Sequence, residues 1–567
     1  MWARNFLFIV LCFAGLVMIG SSLLDRNRID TPNSFAGGQS RLVSTSLPAE
    51  VKPTSEEWPQ TTARINSEFT KHWQAQGLPH AEKATELAIV RRLSLALTGT
   101  IPSVEEIRAL ELVNPEDRVE WWVAHLLEDR RYADYVAERL ARAYVGTEDG
   151  PFILYRRRRF VTWLADHLHR NNRYDKIVTE LIADTGLWNA APAVNFVTVT
   201  AQQNKDNKPD EIRLAGRTTR AFLGMRIDCL QCHDDKLAKV TIMEDGQPRG
   251  GTQQDFHHLA AFFGETQMQL TGVRDNSELE YNYKYLHADK EEVVPPKVPF
   301  GQEIFDGKGT RREQLARWVT NPKNKPFARA TVNRIWAVMF GKPLVSPVDD
   351  IPLEGPFPPA LETLADDFIA HGFDLERLIR IIAASEVYQQ GSGAEFEITP
   401  THEEQWAVYP VTRLRPEQVA GSVVQSSSLP TINAQSHIFS QLGKFIQTAQ
   451  FVQRYGDLGE DEFLDRGGTI PQRLLMMNGE LVKERSGENG GGQNASTRIA
   501  LVAADNEKAV EIAYLATLTR RPSPEELAHF ITRLNERFPE KDPSGRAQKM
   551  EDIYWVLLNS TEFSWNH

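Results

Sequence analysis

LALTGTIPSVEEIRAL, residues 95–110, reads as the end of one helix, a turn with proline, and the start of another. Ser103 stands three residues before Glu106. That spacing is a capping box, in which the hydroxyl and the carboxylate satisfy first-turn amides that have no partner inside the helix. LATLTRRPSPEELAHF, residues 515–530, repeats the pattern with Ser523 and Glu526. A second echo links LLEDRRY (126–132), IIAASEVY (381–388) and LLNSTEF (557–563). Common helix-turn grammar and a duplicated helical unit both account for these echoes.

Outward from these segments, helical spacing dominates. Leu87, Val90, Leu93 and Leu97 recur on one face, as do Leu361, Leu364 and Phe368, then Leu375, Leu378, Ile379 and Ile382. Strand-like alternation is scarce. A charged, proline-rich stretch between Gly264 and Gly309 is the best boundary, because it lacks helical period. The expected fold is mainly α: an N-terminal apolar helix, then two helical domains joined by that linker. Segments are expected at 1–25 (signal or anchor), 26–60 (tether), 61–265, 266–309 (linker) and 310–567.

At 567 residues the chain is too long for one growing core, and a net charge of -12 lacks the basic footprint of a nucleic-acid binder. The first residues carry Arg4 and then an uncharged apolar run from Phe6 to Leu24, about nineteen residues, enough for a bilayer-spanning helix. Export is therefore expected, to the periplasm or cell surface, with this segment as a membrane anchor or a cleaved signal. Cys12 lies inside the run and reads as an apolar residue.

The remaining cysteines fall in DCLQCHDDKL, residues 228–237, as Cys229 and Cys232, with His233 directly after. C-x-x-C-H is the spacing of covalent c-type haem attachment, in which two thiols bond the porphyrin edge and the imidazole ligates iron. A redox dithiol, a tight disulfide and half of a zinc site completed by His257 and His258 are the alternatives. DFHHLAAFF (255–263) places Phe256, Leu259, Ala260 and Phe263 on one helical face. His257, at the edge of that face, is the candidate second iron ligand, with Met225, Met243 and Met268 as alternatives. Asp234 and Asp235 read as solvated acids, with capping of a local helix or a hydrogen bond that orients an imidazole as the alternatives. YRRRRF (155–160) carries Arg156 to Arg159, which suit haem propionates, anionic polysaccharide or lipid headgroups, or form a solvated helix face. The Gly-rich SGENGGGQN (486–494) lacks a P-loop ending, and no G-x-S-x-G, H-E-x-x-H or G-x-G-x-x-G occurs.

Several segments in order resemble one family. They are RRLSLALTGTIPSVEEI, LLEDRRYADYVAERLARAY, FLGMRIDCLQCHD and DFHHLAAFF in the first half, then FARATVNRIWAVMFGKPLVSPVDDI, DLERLIRIIAASEVYQQ, RLRPEQVAGSVV and IAYLATLTRRPSPEEL in the second. They are similar to the planctomycete proteins that pair domains of unknown function 1549 and 1553, the first also called a cytochrome-type domain. The resemblance spans roughly residues 80–565. It implies a haem at Cys229, Cys232 and His233. Relatives commonly read C-A-Q-C-H-D-H-P-F, where this chain has Asp235 and Lys236, and they usually carry Ser-His-Pro where this chain has PFPPALETLA (356–365).

The sequence thus leads to an exported c-type-haem protein that exchanges electrons with a redox partner protein. The alternatives are a polysaccharide-related enzyme with a structural cysteine motif, and a cell-surface scaffold.

Overall fold

The computed structural model describes residues 58–147, 155–201, 208–236, 240–244, 247–269, 272–433, 436, 451–452, 454, 463, 469–486, 494–536 and 545–567. The N-terminal apolar run and the tether as far as residue 57 lie outside them, while residues 58–60, expected in the tether, open helix Trp58–Gln76. Among the described residues no helix is long and apolar enough to cross a membrane. The fold is mainly helical, and among the described residues sheet is confined to short two-stranded antiparallel pairs.

The opening stretch folds as its capping pattern dictates. Helix Glu86–Thr98 ends at Gly99, whose φ of 67° is left-handed. A side chain at Gly99 would also collide with the Tyr135 ring, so glycine is required twice over. Ser103 then caps helix Val104–Glu111, accepting from the Glu106 amide while the Glu106 carboxylate accepts from the Ser103 amide. Ser523 and Glu526 do the same for helix Pro524–Asn535. The two echoing units meet in space: Arg521 pairs with Glu111 at 2.6 Å, and Arg91 donates to the Thr517 carbonyl at 3.2 Å.

Helix Glu86–Thr98 is buried on every side from Ile89 onward, not along one stripe. The reason is that it serves two apolar cores. Ile89, Val90, Leu93 and Leu97 join a large core that runs from Ile65 to Tyr409, whereas Leu95 joins a second core built from Leu414 to Phe563. Its two arginines reach main-chain carbonyls near residue 390 and at the far end of the chain. Arg91 meets Phe563 O, and Arg92 meets Tyr388 O, Gln390 O and His567 O while stacking 3.6 Å from the Tyr409 ring centroid. Each buried guanidinium is met by main-chain carbonyls, although Arg91 Nε and Arg92 Nη2 have no hydrogen-bond partner.

Residues 266–309 contribute Met268, Val273, Tyr281, Val294, Val298 and Phe300 to the first core. Apolar packing therefore continues through this segment, and the change of core falls between Tyr409 and Leu414. Arg312, fully buried in helix Arg311–Val319, locks the segment by a bidentate pair with Asp275 at 2.7 and 3.0 Å. It also donates to Ile182 O and Asp184 O, so three stretches of chain converge on one guanidinium.

Candidate functional site

The C-x-x-C-H motif forms a single 3-10 turn, Asp228–Gln231, with Cys232 at its end. Two anchors fix it from inside. The Leu230 side chain is fully buried against Gly251, where a Cβ would come within 2.6 Å of Leu230 Cδ1. The Gln231 carbonyl receives three donors: His257 Nε2 at 3.0 Å, Gln253 Nε2 at 3.1 Å and the Tyr283 hydroxyl at 3.2 Å. With residues 230 and 231 held inward, Cys229, Cys232 and His233 are left exposed, and both thiols are free.

His233 donates Nδ1–H to the Asp234 carbonyl at 2.9 Å, since a carbonyl can only accept. In the neutral imidazole this leaves the lone pair on Nε2, the tautomer that a metal-ligating histidine shows when its other nitrogen is tied to a carbonyl. Burial and the nearby Asp235 and Asp228 carboxylates push the Cys229 thiol up from its ordinary pKa, so it rests protonated at neutral pH. That is unlike a cysteine tuned for nucleophilic attack.

His257 does reach the motif, from behind the turn. It is fully buried in helix Gln253–Ala260, and its Nδ1 accepts from the Tyr281 hydroxyl at 2.8 Å while Nε2–H serves Gln231. Tyr283 stacks on it with ring centroids 3.4 Å apart. Burial, opposed in part by the Gln231 bond, lowers its pKa to about 4, so it is neutral. In this arrangement His257 braces the turn; ligating a metal would require release of one of its two hydrogen bonds. His258 bonds Pro295 O at 2.7 Å. Met225 and Met268 are buried. Among the described residues no group of three or more His, Cys, Asp or Glu is disposed to hold a bare metal ion.

The two aspartates are not merely solvated acids. Asp234 Oδ1 accepts the Gln253 amide at 2.8 Å, and Asp235 pairs its amide with Gly251 O at 2.9 Å and its carboxylate with the Val240 amide at 2.5 Å. The inserted stretch before the His257 helix forms an antiparallel ribbon, Thr241–Glu244 with Gln247–Gly250. Arg249 ties that ribbon to Asp255 at 2.6 and 2.7 Å. Of the arginine run, Arg156 stacks on Trp188 and Arg157 pairs with Glu138 at 2.6 Å, while Arg158 and Arg159 face solvent. The run lies on helix Arg157–His169 and the residue before it.

Sequence reasoning missed Gln231, Gln253, Tyr281 and Tyr283. The signal was present in YNYKY (281–285), whose tyrosines alternate with a period of two. Asn282–Tyr283 pairs with Glu292–Val293 as a short ribbon, and alternation turns the tyrosines toward His257.

A mainly helical body bearing an exposed C-x-x-C-H turn is the class defined by this geometry. Residues 64–268 match the family described as Protein of unknown function (DUF1549), PSCyt2, and residues 311–453 match Protein of unknown function (DUF1553), PSD1. The chain belongs to the family that pairs these two domains in this order. No curated protein and no solved structure matches it.

Proposed function

We propose that this protein is an exported c-type-haem protein that passes electrons to or from a redox partner outside the cytoplasm. Cys229 and Cys232 would form the two thioether bonds, and His233 Nε2 would ligate iron. The observation that carries this reading is the His233 tautomer: Nδ1–H is tied to Asp234 O, which turns the free lone pair of an exposed imidazole outward beside two free thiols. The residues present thus fit the group. When bound, haem supplies a one-electron couple; the protein's part is to hold the turn rigid through Gln231 and to present both free thiols at the surface. Tyr285 and the exposed Leu286, whose amide donates to Gln253 Oε1 at 3.2 Å, give the turn an apolar neighbour for a porphyrin edge.

The test is a pyridine haemochrome spectrum on protein made with periplasmic haem-attachment machinery. A c-type band that survives denaturation, and is absent from a Cys229→Ala, Cys232→Ala variant, is the expected result. A colourless, folded protein would overturn the reading and return the cysteines to a dithiol or disulfide role.

A further inference from the structure

Away from the cysteine turn, an open-sided groove of about 830 Å³ runs between helix Trp58–Gln76, the loop around residues 344–359 and the turn at 404–406. Its shape is held by bonds from its own rim. Ala360 (φ 72°) and Trp406 (φ 58°) both sit in the left-handed region that non-glycine residues avoid. The Ala360 amide is held by Glu68 Oε2 at 2.8 Å. The turn at Trp406 is held through its neighbour Gln405, whose carbonyl accepts from Trp73 Nε1 at 2.8 Å and whose Oε1 accepts from His72 Nε2 at 2.6 Å. A pre-formed groove open along its length suits a chain-like ligand better than a small molecule, which needs enclosure.

The lining chemistry narrows the class. Lys71 and Glu404, both exposed, carry opposite charges, and Glu68 is the second carboxylate of the lining. One lysine and two carboxylates, one of them already bonded to the Ala360 amide, offer no field for a strongly anionic polymer and too few acids for a cationic one. The wall at Pro356, Phe357, Pro358 and Pro359 is apolar, and its three prolines have no amide hydrogen with which to pair a peptide main chain. Arg329 covers one face of Phe357, 4.2 Å from the centroid. What remains is an apolar ledge beside isolated donors and acceptors, which matches a ligand with C–H faces and hydroxyl edges. We propose that this groove binds a neutral oligosaccharide chain, independently of any haem at Cys229 and Cys232.

Titration calorimetry on the full chain tests this with cellohexaose and chitohexaose as neutral probes, a galacturonate hexamer as the anionic probe and a proline-rich peptide. Saturable binding of a neutral probe is expected, weakened about tenfold in Phe357→Ala and also weakened in Glu404→Gln, with melting temperatures that show both variants folded. Because Glu404 is exposed, its variant keeps the test sound if Phe357→Ala melts early. No binding of either neutral probe would overturn the proposal, as would binding indifferent to both substitutions or preference for the galacturonate or the peptide.

Discussion

His257 donates Nε2–H to the Gln231 carbonyl across 3.0 Å, from a helix 26 residues further along the chain into the middle of the C-x-x-C turn. Replacing it by phenylalanine keeps the stack on Tyr283 but strands the Tyr281 hydroxyl. The expected cost at neutral pH is about 1–3 kcal/mol, read from chemical denaturation. Alkylation of Cys229 and Cys232 should quicken in the same variant, because the turn loses a restraint.

The same histidine makes stability depend on pH. Its pKa falls from 6.5 to about 4 on folding, chiefly through burial. Between those values the unfolded chain binds the proton and the folded one does not, so stability falls as pH drops through this window, by roughly 3 kcal/mol at most. In His257→Phe that acid limb should flatten between pH 6.5 and 4, and the gap between variant and parent should narrow. An unchanged limb would mean that other groups carry it.

Local signals were legible in the sequence where local physics decides the outcome. Both capping boxes formed, and Leu375, Leu378, Ile379 and Ile382 are buried as their spacing requires. The charged, proline-rich composition of residues 266–309 hid what the segment does, because Tyr281 and Arg312 find partners only after long-range folding. Arg91 and Arg92 carry no local sign of their role for the same reason; their acceptors are carbonyls hundreds of residues away. Cys229, Cys232 and His233 were legible because C-x-x-C-H is a fixed local spacing, whereas the bonds that hold Gln231 inward have no such spacing to betray them.

The two capping boxes differ in depth, and their variants should differ accordingly. Ser523 and Glu526 lie near the surface, so Ser523→Ala should cost about 1 kcal/mol. Glu106 is buried. Burial would raise its pKa, but His125, Arg131 and Ser103 together hold it down at about 2. Glu106→Ala leaves Arg131 nine-tenths buried with only Asp129 to face, and should cost roughly 3 kcal/mol in urea titrations. Equal costs for the two variants would count against this account.

Arg312 and Asp275 form the deepest bidentate pair described above, with the arginine side chain fully buried. Arg312→Leu strands a carboxylate and three chain segments, and is expected to cost about 3–5 kcal/mol. Adding Asp275→Asn should recover part of that loss, since it removes the unpaired charge. A double-mutant cycle in denaturant measures the coupling. Additive costs would show that the pair contributes through its carbonyl bonds alone.

The raised pKa of Cys229 predicts slow alkylation by iodoacetamide at neutral pH, with a rate that climbs about tenfold per pH unit until the thiol ionises. Burial and two carboxylates cause the shift, and only the carboxylates can be removed without disturbing the turn. Asp235→Asn keeps an oxygen for the Val240 amide and deletes the charge. It should speed modification of Cys229 by roughly twofold to tenfold at pH 8, measured by mass spectrometry of the 228–237 peptide. A Cys229 already fully reactive at pH 7 would instead mark it as a thiolate nucleophile, and would favour dithiol chemistry over haem attachment at this turn.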